Sequence, residues 1–81
     1  MSKTVLIIDG QGGRIGKLLV SGLKSELPEL HIIAIGSNSI ATAAMMRAGA
    51  DVGATGENPV VVNAKKADII AGPVGIIMAD S

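Results

Sequence analysis

A glycine-rich segment near the start of the chain is the strongest chemical signal in the sequence. The stretch IDGQGGRIG contains Gly10, Gly12, Gly13 and Gly16. Each glycine raises the conformational entropy that is lost on folding. Four glycines at one place therefore indicate that the backbone there must be free of side chains. Bare amides at the start of a helix bind phosphate. The segment therefore predicts a phosphate-binding loop, and the alternative is a tight connection that binds nothing.

The spacing of these glycines is related to dinucleotide-binding patterns. Gly10, Gly13 and Gly16 form G-x-x-G-x-x-G, whereas the standard G-x-G-x-x-G fails because its third glycine falls on Ile15. The variants G-x-x-G-x-x-G and G-x-G-x-x-x-G resemble those of nicotinamide-dinucleotide-dependent enzymes. By position, Gly10 permits a tight turn, Gly12 and Gly13 let amides approach a pyrophosphate, and Gly16 lets a helix pack closely on a strand.

Two charged residues accompany the loop. A carboxylate at Asp9 repels a phosphate, so it must point away or be neutralised. Either Arg14 pairs with Asp9, or Asp9 accepts hydrogen bonds from loop amides, a role that we favour over catalysis. An unpaired Arg14 is free to reach a phosphate directly.

The residues after the second apolar run bear on the cofactor. An acidic side chain there holds the ribose 2′-hydroxyl of NAD, but this chain has Gly36, Ser37, Asn38 and Ser39. Small polar groups together with Arg14 suit a 2′-phosphate, which favours NADP over NAD. Capping of the next helix is the alternative role for these polar residues.

No reaction can be derived from the residues, and whether the chain is an enzyme stays open. His31 is the only histidine and is predicted on the rim opposite the ligand, and the chain has no tyrosine or cysteine. Lys65 and Lys66 are expected on a solvated face. The polar segment 54–58 is either a flap over a ligand or an ordinary connector.

Three apolar runs that end in glycine predict buried strands, namely TVLIIDG, HIIAIG and ADIIAG. Between the first two, an apolar stripe at helical spacing predicts a helix that Pro28 stops. A second helix is expected from a cap at residues 37–39 to Gly49. The stripe of the first helix comprises Ile15, Leu18, Leu19, Gly22 and Leu23.

Two further helices are predicted toward the carboxyl end. The pair Asn58 and Pro59 favours a short helix over residues 59–66, with a strand at 60–62 as the alternative. The third strand is expected near 68–71. Pro73 then suits the first turn of a last helix.

Strands that alternate with helices indicate parallel pairing and right-handed crossovers. We therefore predict one α/β domain over residues 1–81, half of a doubly wound, Rossmann-like sheet in the order β-α-β-α-(short α)-β-α that is truncated at its carboxyl end. A strand order of 3-2-1 leaves the first strand at an open edge, through which a homo-oligomer is plausible. The carboxyl ends of the strands meet at one rim, so the predicted cofactor site comprises Gly10, Gln11, Gly12, Gly13, Arg14, Ile15, Gly16, Ser37, Asn38, Gly72 and Pro73.

Composition excludes several classes of partner. Seven basic and seven acidic side chains cancel, which argues against binding to nucleic acid. The longest apolar runs are too short for a membrane span. The absence of cysteine fits a cytoplasmic protein.

Longer blocks carry a resemblance to a known family. The segments IDGQGGRIGK, AIGSNSIATAAMMRAGA, GATGEN and VVNAKKADIIAGPVGIIMADS together resemble a small bacterial family known only as a domain of unknown function. Its members are thought to be Rossmann-like and to continue past the equivalent of Ser81. The resemblance implies a fold of the nucleotide-binding type and no particular activity.

Three hypotheses for function follow. The first is a dinucleotide-binding domain that takes NADP or NAD at the glycine-rich loop. The second is a non-catalytic module that senses a nucleotide or another phosphate metabolite and acts through self-association. The third is a structural oligomer in which the glycines only tighten packing.

Overall fold

A computed structural model describes residues 3–73 and 75–78 of the chain. Strands and helices alternate along most of these residues, as the apolar runs predict. The last connection is a hairpin between two strands. The elements are β1 (Thr4–Asp9), α1 (Arg14–Glu26), β2 (His31–Gly36), α2 (Ser39–Arg47), β3 (Val52–Thr55), α3 (Asn58–Ala64), β4 (Ile69–Gly72) and β5 (Gly75–Met78).

The strands form a single sheet in the order β3-β2-β1-β4-β5. The first four pair in parallel, and β5 runs antiparallel to β4. The predicted α/β class with a parallel sheet is confirmed. The predicted edge position of the first strand is wrong, because β1 lies between β2 and β4. Self-association through an open β1 edge is therefore excluded, and β3 and β5 are the outer strands.

Helices cover both faces of the sheet. On one face α1 and α2 bury Val20 and Met45 against alternate residues of β1, such as Val5 and Ile7. On the other face Val60 and Ala64 of α3 pack against a cluster that includes Leu6. A strand that is buried on both faces needs an unbroken apolar run, which is why these strands show no polar alternation.

The buried stripe of α1 differs from the predicted stripe. Gly16 and Val20 are buried, and Leu19 and Leu23 pack partly against the core. Leu18 lies 65% exposed. Ile15 and Gly22, which were also predicted in the stripe, are exposed as well. The close approach of Gly16 to β1 and α2 fixes the rotation of the helix, and a sequence pattern does not contain that contact.

Strand β3 is absent from the sequence prediction, which placed a polar connector there. It has only four residues, and two of them are the small residues Gly53 and Ala54. A Cβ at Gly53 would lie 2.7 Å from the Met46 sulfur. The Thr42 hydroxyl of α2 bonds the Ala54 carbonyl oxygen at 3.1 Å and the Thr55 hydroxyl at 2.7 Å. The strand is therefore specified by α2 as much as by its own residues.

Of the two helices predicted toward the carboxyl end, the described residues contain the first and not the second. Helix α3 is confirmed and the alternative strand at 60–62 is wrong. The helix expected from Pro73 is also wrong, because Gly72 pairs with Gly75 and the chain turns back into β5. Proline with its fixed φ suits a tight turn as well as a first helical turn, and Gly75 has φ +150°. The part of that predicted helix at residues 79–81 lies outside the described residues.

No helix in the described ranges 3–73 and 75–78 is long and apolar enough to cross a membrane.

Candidate functional site

The glycine-rich loop makes a tight turn between β1 and α1. The amide of Gly13 donates to the carbonyl oxygen of Gly10 at 2.9 Å and closes the turn. Inside the turn Gln11 has φ +49°, a conformation that side chains other than glycine, asparagine and aspartate rarely adopt. Gly13 itself has φ +72° and lies directly before α1. The turn therefore contains a strained non-glycine residue at its outermost point.

Asp9 is held behind this turn. Its side chain is 7% exposed, and its two carboxylate oxygens accept from the amides of Gly10 at 2.8 Å and Gly16 at 2.5 Å. The prediction that Asp9 bonds loop amides is confirmed. The alternative ion pair with Arg14 is wrong, because the ion pairs of the described residues involve only Lys24, His31 and Asp51. Asp9 thus joins the end of β1 to the third residue of α1.

Four amides at the loop have no hydrogen-bond acceptor within the described part of the chain, those of Gln11, Gly12, Arg14 and Ile15. The start of α2 is similar, since the Asn38 side chain accepts from the third amide of that helix, Ala41, at 2.9 Å, as Asp9 does from the third amide of α1. The first amides of a helix need partners from outside it. In both helices a side chain binds the third amide, and the first two amides have no acceptor among the described residues.

Three of the four loop glycines have a steric reason inside the chain. A Cβ at Gly10 would lie 3.0 Å from the Ser37 hydroxyl. A Cβ at Gly13 would lie 2.8 Å from a backbone oxygen of α2, and a Cβ at Gly16 would lie 2.5 Å from the Met45 sulfur. The close packing role expected of Gly16 agrees with this geometry. Gly13 differs from expectation, because its amide closes the turn and is not open to a ligand. Gly12 alone has nothing within 4 Å of its Cβ position and no positive φ.

A cavity of about 670 Å³ opens in front of the loop. It lies where β1 and β4 adjoin, and Pro73, directly after β4, forms its far side. Its size is within the range of small-molecule sites. The lining residues are Asp9, Gly10, Gln11, Gly12, Arg14, Ile15 and Pro73.

The remaining residues of the predicted site lie elsewhere. Gly13 and Gly16 are buried behind the loop, and a Cβ at Gly72 would lie 2.7 Å from the Ile8 carbonyl oxygen. The Asn38 side chain accepts a hydrogen bond as the N-cap of α2. Ser37 lines a second cavity.

The cavity has one cationic side chain in its lining. Arg14 forms no ion pair with any carboxylate of residues 3–73 and 75–78. The negative charge nearby belongs to Asp9, which two amides already stabilise. A guanidinium that presents several donors beside open amides is suited to an anion with several oxygens.

The opposite rim of the sheet holds a second polar cluster. Asp51 accepts from the Ile32 amide at 2.8 Å and from the Lys24 ammonium group at 2.7 Å. These bonds, the Ile32 amide first, hold the pKa of Asp51 below its ordinary value. His31 begins β2 here, with Nδ1 4.0 Å from Asp51, which confirms its predicted rim. Asp68 accepts from the Thr4 amide at 2.8 Å at the same rim.

The remaining residues considered for chemistry have ordinary structural positions. Lys65 and Lys66 follow α3 and are exposed. Met45 is fully buried in the core, whereas Met46 is 38% exposed. The part of the chain that the structure describes contains no group of three or more potential metal ligands.

The sequence indicated segment 54–58 as a flap over a ligand or a connector, but named none of its residues as part of the site. Gly56, with φ +108°, and Glu57 line the second cavity together with Ser37. Their position depends on β3, which the sequence pattern did not indicate. The signal available in the sequence was the glycine and acid pair within GATGEN, directly before the predicted short helix.

The fold and the cavity define an α/β protein with an open, largely parallel sheet and a cavity at the carboxyl ends of its strands. Residues 4–81 match the family described as Domain of unknown function (DUF3842), and the chain belongs to that family. Searches of curated proteins and of solved structures find no match.

Proposed function

We propose that this protein binds an NAD(P)-type dinucleotide, with the pyrophosphate against the glycine-rich loop. The observation that carries the proposal is Gly12. It is the one loop glycine for which the described residues supply no steric or conformational reason, and it lines the cavity. Where such a glycine also lines a cavity, it lets a ligand approach the backbone closely.

The surrounding groups support an anionic ligand. The open amides of Gln11, Gly12, Arg14 and Ile15 lie on the same short segment. The amino terminus of α1 adds a favourable dipole, and the Arg14 side chain adds a positive charge. Both carboxylate oxygens of Asp9 accept from backbone amides and are held by them.

The topology supports a nucleotide in particular. The order β3-β2-β1-β4 is that of the first half of a doubly wound dinucleotide-binding sheet. Helix α1 leaves β1 on one face, and α3 packs on the other face before the chain enters β4. The chain therefore changes direction across the sheet between β1 and β4, and ligands of doubly wound sheets bind at the carboxyl ends of the strands at such a point.

The proposal concerns binding and names no reaction. Among the cavity-lining residues only Asp9 and Arg14 carry titratable side chains, and both oxygens of Asp9 already accept hydrogen bonds. The non-catalytic sensing module therefore remains the second candidate. Self-association of such a module through an open β1 edge no longer applies, because β1 lies between β2 and β4.

Titration with NADH and NADPH, followed by nicotinamide fluorescence, tests the proposal. The chain has no tryptophan or tyrosine, so the protein adds no aromatic background to the signal. We expect saturation below about 1 mM. The Arg14→Gln variant should bind about tenfold more weakly, the effect of losing one charge-assisted hydrogen bond.

Arg47→Gln is the matched control, since Arg47 is an exposed arginine at the end of α2, toward the opposite rim. It should leave the affinity unchanged. Absence of a saturable signal for either nucleotide, or equal losses in both arginine variants, contradicts the proposed site.

A further inference from the structure

A second cavity of about 520 Å³ lies on the face of the sheet that α3 covers. Its walls are mostly apolar and come from three elements, the carboxyl ends of β1 and β2 and the first turn of α3. Two polar side chains, Ser37 and Glu57, interrupt these walls. The branched aliphatic residues are Ile8, Ile35, Val60 and Val61.

This cavity adjoins the glycine-rich loop. A Cβ at Gly10 would lie 3.0 Å from the Ser37 hydroxyl, and the Ser37 amide donates to the Asp9 carbonyl oxygen at 2.9 Å. Gly10 lines the first cavity and Ser37 lines the second. A single extended ligand that passes over Gly10 can therefore occupy both.

The chemistry of the second cavity suits the adenosine end of such a ligand. Branched aliphatic side chains present flat apolar surface to a base, and a carboxylate only accepts hydrogen bonds. Two neighbouring ribose hydroxyls are donors that one carboxylate can bind together. Glu57 forms no ion pair with a cation of the described residues, so its charge is available to the ligand.

We infer that Glu57 is the residue that selects an unphosphorylated ribose, so that the protein binds NAD(H) in preference to NADP(H). The inference rests on the proposed function. A 2′-phosphate beside Glu57 meets a like charge, whereas a 2′-hydroxyl meets an acceptor. The sequence favoured NADP because residues 36–39 contain no acid. In the fold, the loop after β3 brings an acid to the cavity that Ser37 also lines.

The placement of Arg14 agrees with this inference. The preference for NADP expected from the sequence required Arg14 and Ser37 to act on one 2′-phosphate. They line different cavities, Arg14 with Pro73 and Ser37 with Glu57. The cation therefore faces the pyrophosphate end, and the acid faces the ribose.

Parallel titrations of the full chain with NADH and with NADPH test the inference. The wild-type protein should bind NADH at least about tenfold more tightly than NADPH, as expected when a charge-assisted hydrogen bond is replaced by repulsion. In Glu57→Gln the two affinities should come within about threefold of each other. Glu57 is exposed and its side chain caps no amide, so the variant should keep the wild-type far-UV circular dichroism and melting temperature.

Glu29→Gln is the matched control, because Glu29 is an exposed acid in the connection between α1 and β2 and its loss changes the net charge equally. It should keep the wild-type ratio of affinities. Equal or tighter binding of NADPH by the wild type, or an unchanged ratio in Glu57→Gln, overturns the inference and leaves the proposed function intact. Failure of both nucleotides to bind the wild type overturns the proposed function and this inference with it.

Discussion

Aspartates lie at both rims of the parallel sheet, and their surroundings differ. At the amino-terminal rim Asp51 and Asp68 each accept from the first amides of a neighbouring strand, and Lys24 neutralises Asp51. At the carboxyl-terminal rim Asp9 also accepts from two amides, but four amides next to it have no acceptor among the described residues. The aspartates of the amino-terminal rim therefore bind the strand amides there, whereas four amides at the carboxyl-terminal rim have no acceptor among the described residues.

The aspartates of the amino-terminal rim bind strand amides, whereas the carboxyl-terminal rim has amides without an acceptor among the described residues, at which we propose that a ligand binds. Open backbone donors are unfavourable unless water or another molecule binds them. The same chain caps α2 with Asn38 and joins β2 to β3 through Asp51, so local capping is available to this fold. The amides of Ser39 and Ile40 also lack an acceptor among the described residues, so the glycine-rich loop is set apart by the cavity in front of its open amides.

The largest loss of stability is expected from Gly13→Ala. The added Cβ would lie 2.8 Å from the Ala41 carbonyl oxygen, and φ +72° is strained for alanine. We expect the free energy of unfolding to fall by about 3 kcal/mol, from overpacking and backbone strain together. Urea unfolding followed by far-UV circular dichroism measures it.

The control for that variant is Gly22→Ala. Gly22 lies on the exposed face of α1 with open space at its Cβ position. Alanine there should raise stability by about 0.5–1 kcal/mol, because it lowers the entropy of the unfolded chain. If Gly13→Ala unfolds at the same urea concentration as the wild type, the described turn is wrong.

Asp9→Asn should have the next largest effect. The amide group keeps one acceptor oxygen, so the Gly10 or the Gly16 amide loses its partner in a buried setting. We expect a loss of about 2 kcal/mol in the free energy of unfolding. A loss below about 0.5 kcal/mol would show that the carboxylate does not join β1 to α1.

Asp51→Asn should cost less, about 1 kcal/mol, because the Asp51 side chain is 37% exposed and solvent screens its ion pair. The pKa of Asp51 in the folded protein lies below its ordinary value of 3.8. Its stabilisation is therefore complete above pH 3.8 and is lost as the pH falls through the lowered pKa.

The pH series supplies its own control. The difference in stability between the wild type and Asp51→Asn should shrink as the solution is acidified below pH 3.8. A difference that stays constant over this range would mean that the Asp51 charge adds nothing to the amino-terminal rim.

Gly12→Ala should have the smallest effect on stability and the clearest effect on binding. Nothing lies within 4 Å of its Cβ position, so the free energy of unfolding should change by no more than about 0.5 kcal/mol. The methyl group would enter the cavity and weaken NADH binding about tenfold. Gly22→Ala, at a site away from the cavity, should bind NADH like the wild type, and equal binding by Gly12→Ala would contradict the proposed role of the loop.

The first half of the fold was predictable because its signals are local. The apolar runs of β1 and β2, the Asn38 cap and Pro28 each act on their own segment. Strand β3 was not predictable, because Gly53 and Ala54 are fitted to side chains of α2. The β4–β5 hairpin was missed because Pro73 suits a helix start and a turn equally.

The site was predictable in position and not in detail. The glycines of the loop indicated the position of the turn that lines the first cavity. Which amides stay open depends on the two bonds of Asp9 and on the turn that Gly13 closes, and both arise from the packing of α1 on β1. Glu57 was missed because its place in the cavity that Ser37 also lines requires β3.

Backbone amide chemical shifts during an NADH titration, recorded on the ¹⁵N-labelled chain, test the central claim most directly. We predict that the amides of Gln11, Gly12, Arg14 and Ile15 shift and saturate together, while that of Ile32, bound to Asp51 at the other rim, stays in place. Saturating shifts confined to the amino-terminal rim, or none at these four amides, would contradict the account.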